Sequence, residues 1–475
     1  MTTSDPAAPI VATSDPAAPI VATSDPTSAK TNIQSFLDSQ PVGRRRWAIV
    51  VLAFLVITLD GIDVQAWSFV YPQIVAKWGT PLAAITALVT IGVVGMAVGA
   101  ILGGPFADRF GRRKIILVGT AWFSVFTLLG AASQNVEMIG AARLLACLGI
   151  GAVLPTVVTL VAEFMPAARR STLITIAFSG FTFGVILCGY LAAAIVPTLG
   201  WQALLVTAGI LSLAIIPFLA WRIPESVTFL ALKERSPERV KRTLQSISPL
   251  ADVEHINLGI DRTEPVREGG VRVVLSKQFL ASSILLWVCY FIGLSVTYLL
   301  INYLPLIIDA NGLTAADAGV IVAMYGWGGT VGSLLVGFAM GKLGSFRVLG
   351  VMFSLGSLSI WAVAAFTLGL SGLLLAAFAW GLFLPATNTG VNALAALVYP
   401  TRARGTGVSW MHGFGRIGTI VSGIVGGVML SLGWSTGQIF FAIGFPLLIG
   451  TVAMILLGVA SRRREARALA DNTLN

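Results

Sequence analysis

Apolar runs of about 20 residues recur along the whole chain, each closed by a short polar or glycine-containing break. As a helix, a run of that length crosses a hydrocarbon core about 30 Å thick. The pattern predicts twelve membrane-spanning helices. Six lie near residues 47–70, 82–106, 114–134, 138–162, 172–196 and 202–221, and six near 279–307, 316–340, 347–368, 372–398, 406–431 and 436–460. Between the sets lies the longest polar stretch, 222–277, with ten basic and eight acidic side chains. Within it "SPERVKRTL" offers Ser236 as an N-cap, Pro237 at the first helical position and Glu238 in the first turn, which predicts a short surface helix.

The two sets of six echo each other. "GGPFADRFGRRK" (103–114) follows the second span and "VGFAMGKLGSFR" (336–347) the eighth; "MPAARRST" (165–172) follows the fourth and "YPTRARGTG" (399–407) the tenth. The predicted fold is an all-α membrane protein of twelve helices in two pseudo-symmetric six-helix bundles. Its parts are a tail over 1–43, a bundle over 44–221, a central loop over 222–277, a second bundle over 278–461 and a tail over 462–475. Parallel repeats of this kind put a substrate site at their interface near the bilayer midplane, so the architecture implies a transporter. The first 26 residues carry "TSDPAAPIVA" twice and a third "TSDP". That period is too short for a folding unit and predicts a disordered cytoplasmic tail, and it lacks the basic and apolar regions of a secretory signal.

Composition agrees with lipid as the solvent. Of 475 residues 56% are hydrophobic and 11% charged, against about 25% charged in soluble domains. The 51 glycines are scattered through the spans, where small residues let membrane helices approach closely. A net charge of +10 raises the question of a nucleic-acid partner, and the positions of the charges exclude it. Of 31 Lys and Arg, Arg143 and Arg416 fall inside spans and Lys77 in the first outer loop; the other 28 lie on the side shared by both termini. That asymmetry predicts cytoplasmic termini. Cys147, Cys188 and Cys289 lie in apolar spans without metal-ligand spacing, and with only His255 and His412 as histidines a metal centre is not expected.

Residues 104–114, "GPFADRFGRRK", resemble the loop between the second and third helices of the major facilitator superfamily, which reads G-x-L-A-D-R-x-G-R-K; Phe106 replaces the usual leucine. Gly104 and Gly111 suit a tight turn, and Asp108, beside Arg109 and Arg112, can receive helix dipoles and cations and latch the halves in one state. Gly341 stands where many relatives keep an aspartate, which implies a weaker latch in the second half. "DGID" (60–63), "ARLLACLGIGAVLPT" (142–156), "RGTGVSWMHGFGRIG" (404–418), "QSFLDSQPVGRRRW" (34–47) and "PESVTFL" (224–230) narrow the match. Together they resemble the aromatic acid:proton symporter family over roughly residues 32–462. The resemblance implies uptake of a small aromatic carboxylate with protons, by alternating access. It implies no enzymatic activity and no cofactor beyond the coupling proton, and a multi-pass protein in the bilayer of the bacterial inner membrane.

The buried charges suit that chemistry. Asp60 and Asp63 are neighbours on one helical face, at a cost of about 2.5–3.5 kcal/mol each even on a lenient insertion scale. A carboxyl that alternates between desolvated and cation-neighboured surroundings binds and releases a proton; either aspartate fits. Arg143 is assigned to their network. Arg416 presents a planar fork suited to the substrate's carboxylate, flanked by Trp410, His412 and Phe414. Asn388 and Asn392, at i and i+4, are expected to line the cavity and meet a ring hydroxyl, and Tyr325 and Trp327 offer aromatic faces. Glu163 with Arg169 and Arg170, and Arg404, are candidates for gating salt bridges or for ordinary interfacial charges.

Three rivals remain. A proton-antiport exporter often has Gly-Pro inside its fifth span, which "FSGFTFGVILCGYLAAAIVP" lacks. A sugar or organic-acid facilitator rarely needs buried Arg with paired Asp. A membrane-embedded enzyme would need a cluster of carboxylates or histidines at a membrane face.

Overall fold

The computed structural model describes residues 33–40, 42–231, 237–247, 270–366, 369–399 and 401–473, and among them every regular element is helical. The first half contains α1 (Ile33–Ser39), α2 (Arg44–Trp78), α3 (Leu82–Phe110), α4 (Arg112–Ala131), α5 (Val136–Phe164), α6 (Ala167–Ala214) and α7 (Ile216–Arg222). Short helices α8 (Val227–Phe229), α9 (Pro237–Ile247) and α10 (Gly270–Val274) follow. The second half contains α11 (Leu280–Ala310), α12 (Ala315–Leu343), α13 (Ser345–Ala365), α14 (Leu370–Val398), α15 (Thr401–Ser431) and α16 (Thr436–Thr473).

Among the described residues eleven helical stretches are long and apolar enough to cross a membrane. One of them, Thr172–Arg222, has 51 residues, about 77 Å at 1.5 Å per residue, which is too long for one crossing. Gly200, at φ 79°, breaks it. It therefore crosses twice, and the twelve predicted spans are present.

The internal repeat is visible in the backbone. Gly111 (φ 98°) closes α3 and opens α4, and Gly344 (φ 88°) closes α12 and opens α13. Both stand in a region that residues with a Cβ disfavour, so the echo between 103–114 and 336–347 is a shared turn. The second echo repeats a helix stop. Met165 (φ −94°, ψ 138°) and Tyr399 (φ −93°, ψ 140°) end α5 and α14 in extended backbone, as the residue before a proline prefers.

Lipid provides no hydrophobic force between helices, so close packing has to hold them. On α3 and α5, Gly99 lies against the Leu148 backbone and Gly151 against that of Met96; on α12 and α14, Gly328 meets Phe378 and Gly381 meets Tyr325. The two halves meet along two seams. Gly189 of α6 packs on Gly319 and Ala323 of α12, and Gly423 and Gly427 of α15 pack on Thr90 and Thr86 of α3. These approaches lie towards the membrane end opposite the termini. The Gln65 amide of α2 also donates there to the Ile301 carbonyl of α11, at 3.3 Å. Near the middle of α15, on the terminal side of these approaches, His412 and Gly413 are exposed. The halves close on the far side and part on the side of the termini.

Two segments depart from expectation. The tail predicted as disordered over 1–43 contains α1, with Phe36 and Leu37 buried. Arg46, itself buried, donates to the Leu37 carbonyl (2.8 Å) and the Gln40 carbonyl (2.9 Å), covering the end of that helix. Asp38 accepts from the Ala167 backbone N–H at 2.8 Å and pairs with Arg170 at 3.6 Å. The docking site is thus built by residues distant in sequence, which local composition does not reveal. At the other end α16 continues to Thr473, where a tail from 462 was expected. The predicted surface helix is α9; Ser236, His255 and the decapeptide repeat lie outside the described residues.

Backbone-on-backbone packing makes a clear prediction. Gly99→Leu destabilises by at least about 1–3 kcal/mol, as overpacking does. Gly337→Leu, where nothing lies within 4 Å, changes little. Thermal unfolding of the two variants in detergent checks the difference.

Candidate functional site

One face of α2 carries Asp60, Asp63, Trp67 and Tyr71, and it turns into the middle of the first half. Asp63 is 0% and Asp60 3% exposed. The Thr127 hydroxyl of α4 donates to Oδ1 of Asp63. Gly130 of α4 leaves the space that the Trp67 ring fills, and Gly92 of α3 leaves the space for Arg143. The Arg143 guanidinium, on α5, lies 5.3 Å from the Trp67 ring centre and within electrostatic reach of Tyr71 and Asp63, a cation–π contact. Among the described residues Oδ1 of Asp60, Oδ2 of Asp63, and Nε and Nη1 of Arg143 have no hydrogen-bond partner. Among the described residues none of these groups forms a direct ion pair. Burying polar groups in this condition costs several kcal/mol, and in a membrane interior such groups mark a functional site.

The second half faces this cluster with a different set. Arg416 of α15 reaches towards the first half, within electrostatic range of Asp60, and its Nη1 lies 3.6 Å from the Met96 sulfur of α3. The Tyr298 hydroxyl of α11 lies 3.9 Å from the same sulfur. His412, one turn before Arg416, is exposed on the open side with its ring centre 5.1 Å from that of Tyr290. Asn392 donates to the Tyr290 hydroxyl at 3.1 Å, and Asn388 donates to Thr297 at 3.0 Å. Tyr325, 2% exposed, has a hydroxyl without a partner. The arrangement offers a guanidinium resting on a thioether, two amides and several phenol rings opposite two carboxyls.

Two predicted members are elsewhere. Trp327 shares a stripe of α12 with Leu334 and Phe338, all exposed, and its indole N–H points to the exposed Tyr190 at 3.3 Å. Trp410 shares a stripe of α15 with Phe414, Ile417 and Ile424, also exposed. Trp410 and Phe414 lie against the Trp287 ring, at 5.6 and 4.6 Å between centres. These stripes face the lipid, because the inward arcs of α12 and α15 are taken by glycines and by Tyr325 and Arg416. A groove of about 550 Å³ between α13 and α16, lined by Trp361 and Phe441, is likewise on the outer flank.

In this conformation the signature loop makes its contacts within the first half. Arg112 pairs with Glu163 at 2.8 Å and with Asp108 at 3.6 Å, and donates to Ser226 at 2.7 Å. Ser226 donates to Glu163, and the backbone N–H groups of Arg113 and Ser226 donate to Glu225 at 3.1 and 3.0 Å. All these partners precede α9, so the cluster ties α3 and α4 to α5 and α8 within the first half. Asp108 is largely exposed. Arg109 stacks over its neighbour Phe110 at 5.3 Å. Gly104 and Arg404 are exposed and outside the cluster, and Arg170 pairs with Asp38 rather than Glu163.

A family model described as the Major Facilitator Superfamily matches residues 53–355 and 286–473. The chain belongs to the major facilitator superfamily. It is 34% identical over 437 residues to the 4-hydroxybenzoate transporter PcaK of Pseudomonas aeruginosa, covering 91% of this chain and 97% of that one. It is 35% identical over 436 residues to a gallate transporter of Pseudomonas putida, with 92% and 97% covered. Among solved structures it is similar to a bacterial homologue of the human lysosomal transporter Spinster, in an inward-facing, unoccupied conformation. That match has a TM-score of 0.62, 15% identity and 89% and 97% covered, and it bears on the fold alone.

As a major facilitator the chain is a transporter, and the candidate site straddles the two halves. The paired aspartates, both arginines, His412, Asn388, Asn392 and Tyr325 are brought together. Missed in the sequence were Thr127, Tyr71, Trp67 and Met96. Trp67 and Tyr71 continue the stripe of Asp63 at i+4 and i+8, a signal that was there to read; Thr127 and Met96 come from other helices and left none.

The loop cluster yields a prediction. Arg112→Ala leaves Glu163 half-buried without its cation and destabilises by about 1–3 kcal/mol, less than a fully buried pair because water screens it. Adding Glu163→Ala recovers part of that loss. Thermal unfolding of both single variants and the double variant measures the coupling.

Proposed function

We infer that this protein carries an aromatic carboxylate into the cell together with protons, by alternating access. The observation that carries this reading is a half-buried guanidinium, Arg416, without a carboxylate partner among the described residues, set beside Tyr290 and Tyr298 and facing Asp60 across the seam. Transporters of 4-hydroxybenzoate and gallate among the relatives support the same class of anion. Basic residues crowd the side of the termini, which supports cytoplasmic termini in a bacterial inner membrane. The open side then faces the cytoplasm, and the conformation is inward-facing.

Asp60 and Asp63 divide the work. Asp63 is held by Thr127, whereas Asp60 shares the field of Arg416. While ionised, Asp60 offsets the charge of Arg416; once protonated, it leaves Arg416 to the incoming anion. Proton binding and anion binding thus favour each other. An inside-negative potential opposes a lone anion by about 2.3 kcal/mol per 100 mV, and one accompanying proton cancels that term.

The test is uptake of labelled 4-hydroxybenzoate into proteoliposomes under an inward proton gradient. The protein accumulates it, and an uncoupler abolishes accumulation. Asp60→Asn stops accumulation, and Arg416→Gln raises KM by about 10- to 100-fold, the worth of one hydrogen bond to a charged group. Accumulation that survives in an Asp60→Asn/Asp63→Asn protein would make the carboxyls structural and put the coupling elsewhere, and uptake that only equilibrates in the unmodified protein would favour a facilitator.

A further inference from the structure

Met96 lies on α3 of the first half with 4% exposure, and two polar groups of the second half converge on its sulfur. Arg416 Nη1 is 3.6 Å away and the Tyr298 hydroxyl 3.9 Å. A thioether is a weak acceptor, whereas a guanidinium is always charged and takes a carboxylate through a two-point fork. Arg416 therefore rests on an acceptor much weaker than the one its chemistry suits. The backbone that carries this side chain is held from behind, because Gly151 of α5 packs against the Met96 backbone and Gly95 against Leu144. The root of the Met96 side chain is thus set by the packing of α3 on α5, independent of Arg416.

We propose that Met96 is a placeholder for the transported anion: its sulfur holds Arg416 across the seam in the empty carrier, and the substrate's carboxylate displaces it. Displacement removes a contact between α3 and the pair α11 and α15. Occupancy and the freedom of the two halves to move are then linked at one atom. An acceptor stronger than sulfur at position 96 competes with the anion, and an apolar group of similar volume does not. The identity of the anion rests on the aromatic-acid reading; the contact in the empty state does not.

The test follows the methionine methyl groups by NMR in protein labelled with methyl-13C methionine, the Met96 signal being assigned by its loss in Met96→Leu. In the empty protein Arg416→Lys shifts that signal, while the other nine methyls report that the fold is kept. Saturating 4-hydroxybenzoate shifts it as well. Met96→Gln weakens 4-hydroxybenzoate binding by about tenfold or more, the scale of one competing hydrogen bond to a charge, and Met96→Leu does not weaken it. An unmoved methyl in Arg416→Lys overturns the placeholder contact, whatever the substrate. Equal weakening by Gln and Leu, or binding with an unmoved methyl, overturns the displacement. Failure of the unmodified protein to bind 4-hydroxybenzoate, gallate or benzoate overturns the aromatic-acid reading and the displacement with it, and the Arg416→Lys result still judges the contact.

Discussion

A guanidinium and a carboxyl that lie close enough to feel each other, yet are kept from pairing, set the terms for the rest of this molecule. Arg416 belongs to the second half and Asp60 to the first, and Met96 occupies the space beside them. A direct ion pair there would be hard to break in a medium of low dielectric constant. It would also leave the arginine with nothing to offer an anion. Leaving the charges unpaired is costly, so the surrounding helices have to hold them in place. The glycine approaches along α3–α5, α12–α14 and the two seams are how they do so, since packing is the main force available between helices in lipid.

The halves share a backbone plan and differ in side-chain chemistry. Turn for turn, Gly111 matches Gly344 and Met165 matches Tyr399. The first half then places its carboxyls, Trp67 and Arg143 where they are sealed from water. The second half places amides, phenols, His412 and Arg416 beside the open side. The loop clusters diverge as well. Arg112, Glu163, Ser226 and Glu225 bind the first half into a unit, and Gly341 stands in the second half at the place of Asp108. The first half is therefore braced at its end near the termini.

Site legibility followed the range of the signal. Asp60, Asp63, Arg143 and Arg416 were readable because a charge inside an apolar run has no neutral explanation. The same reasoning failed for Trp410 and Trp327, since an aromatic ring suits a lipid-facing stripe as well as a cavity. The signature-loop charges find their partners within the first half in this conformation. Thr127 and Met96 are ordinary residues in ordinary runs, and only proximity gives them a role.

Hydrophobic run length determined the twelve crossings and the all-helical class, because a backbone in hydrocarbon must satisfy its own hydrogen bonds. The repeated turn residues determined the two-fold plan, and the distribution of Lys and Arg bears on orientation. All of these depend on local sequence or on sums along it. Which face of each helix turns inward, which charges pair and which stay free, that α1 docks on the first half, and which end of the carrier is open were decided by tertiary structure. Those properties depend on distances between helices far apart in the chain, and no local pattern encodes a distance.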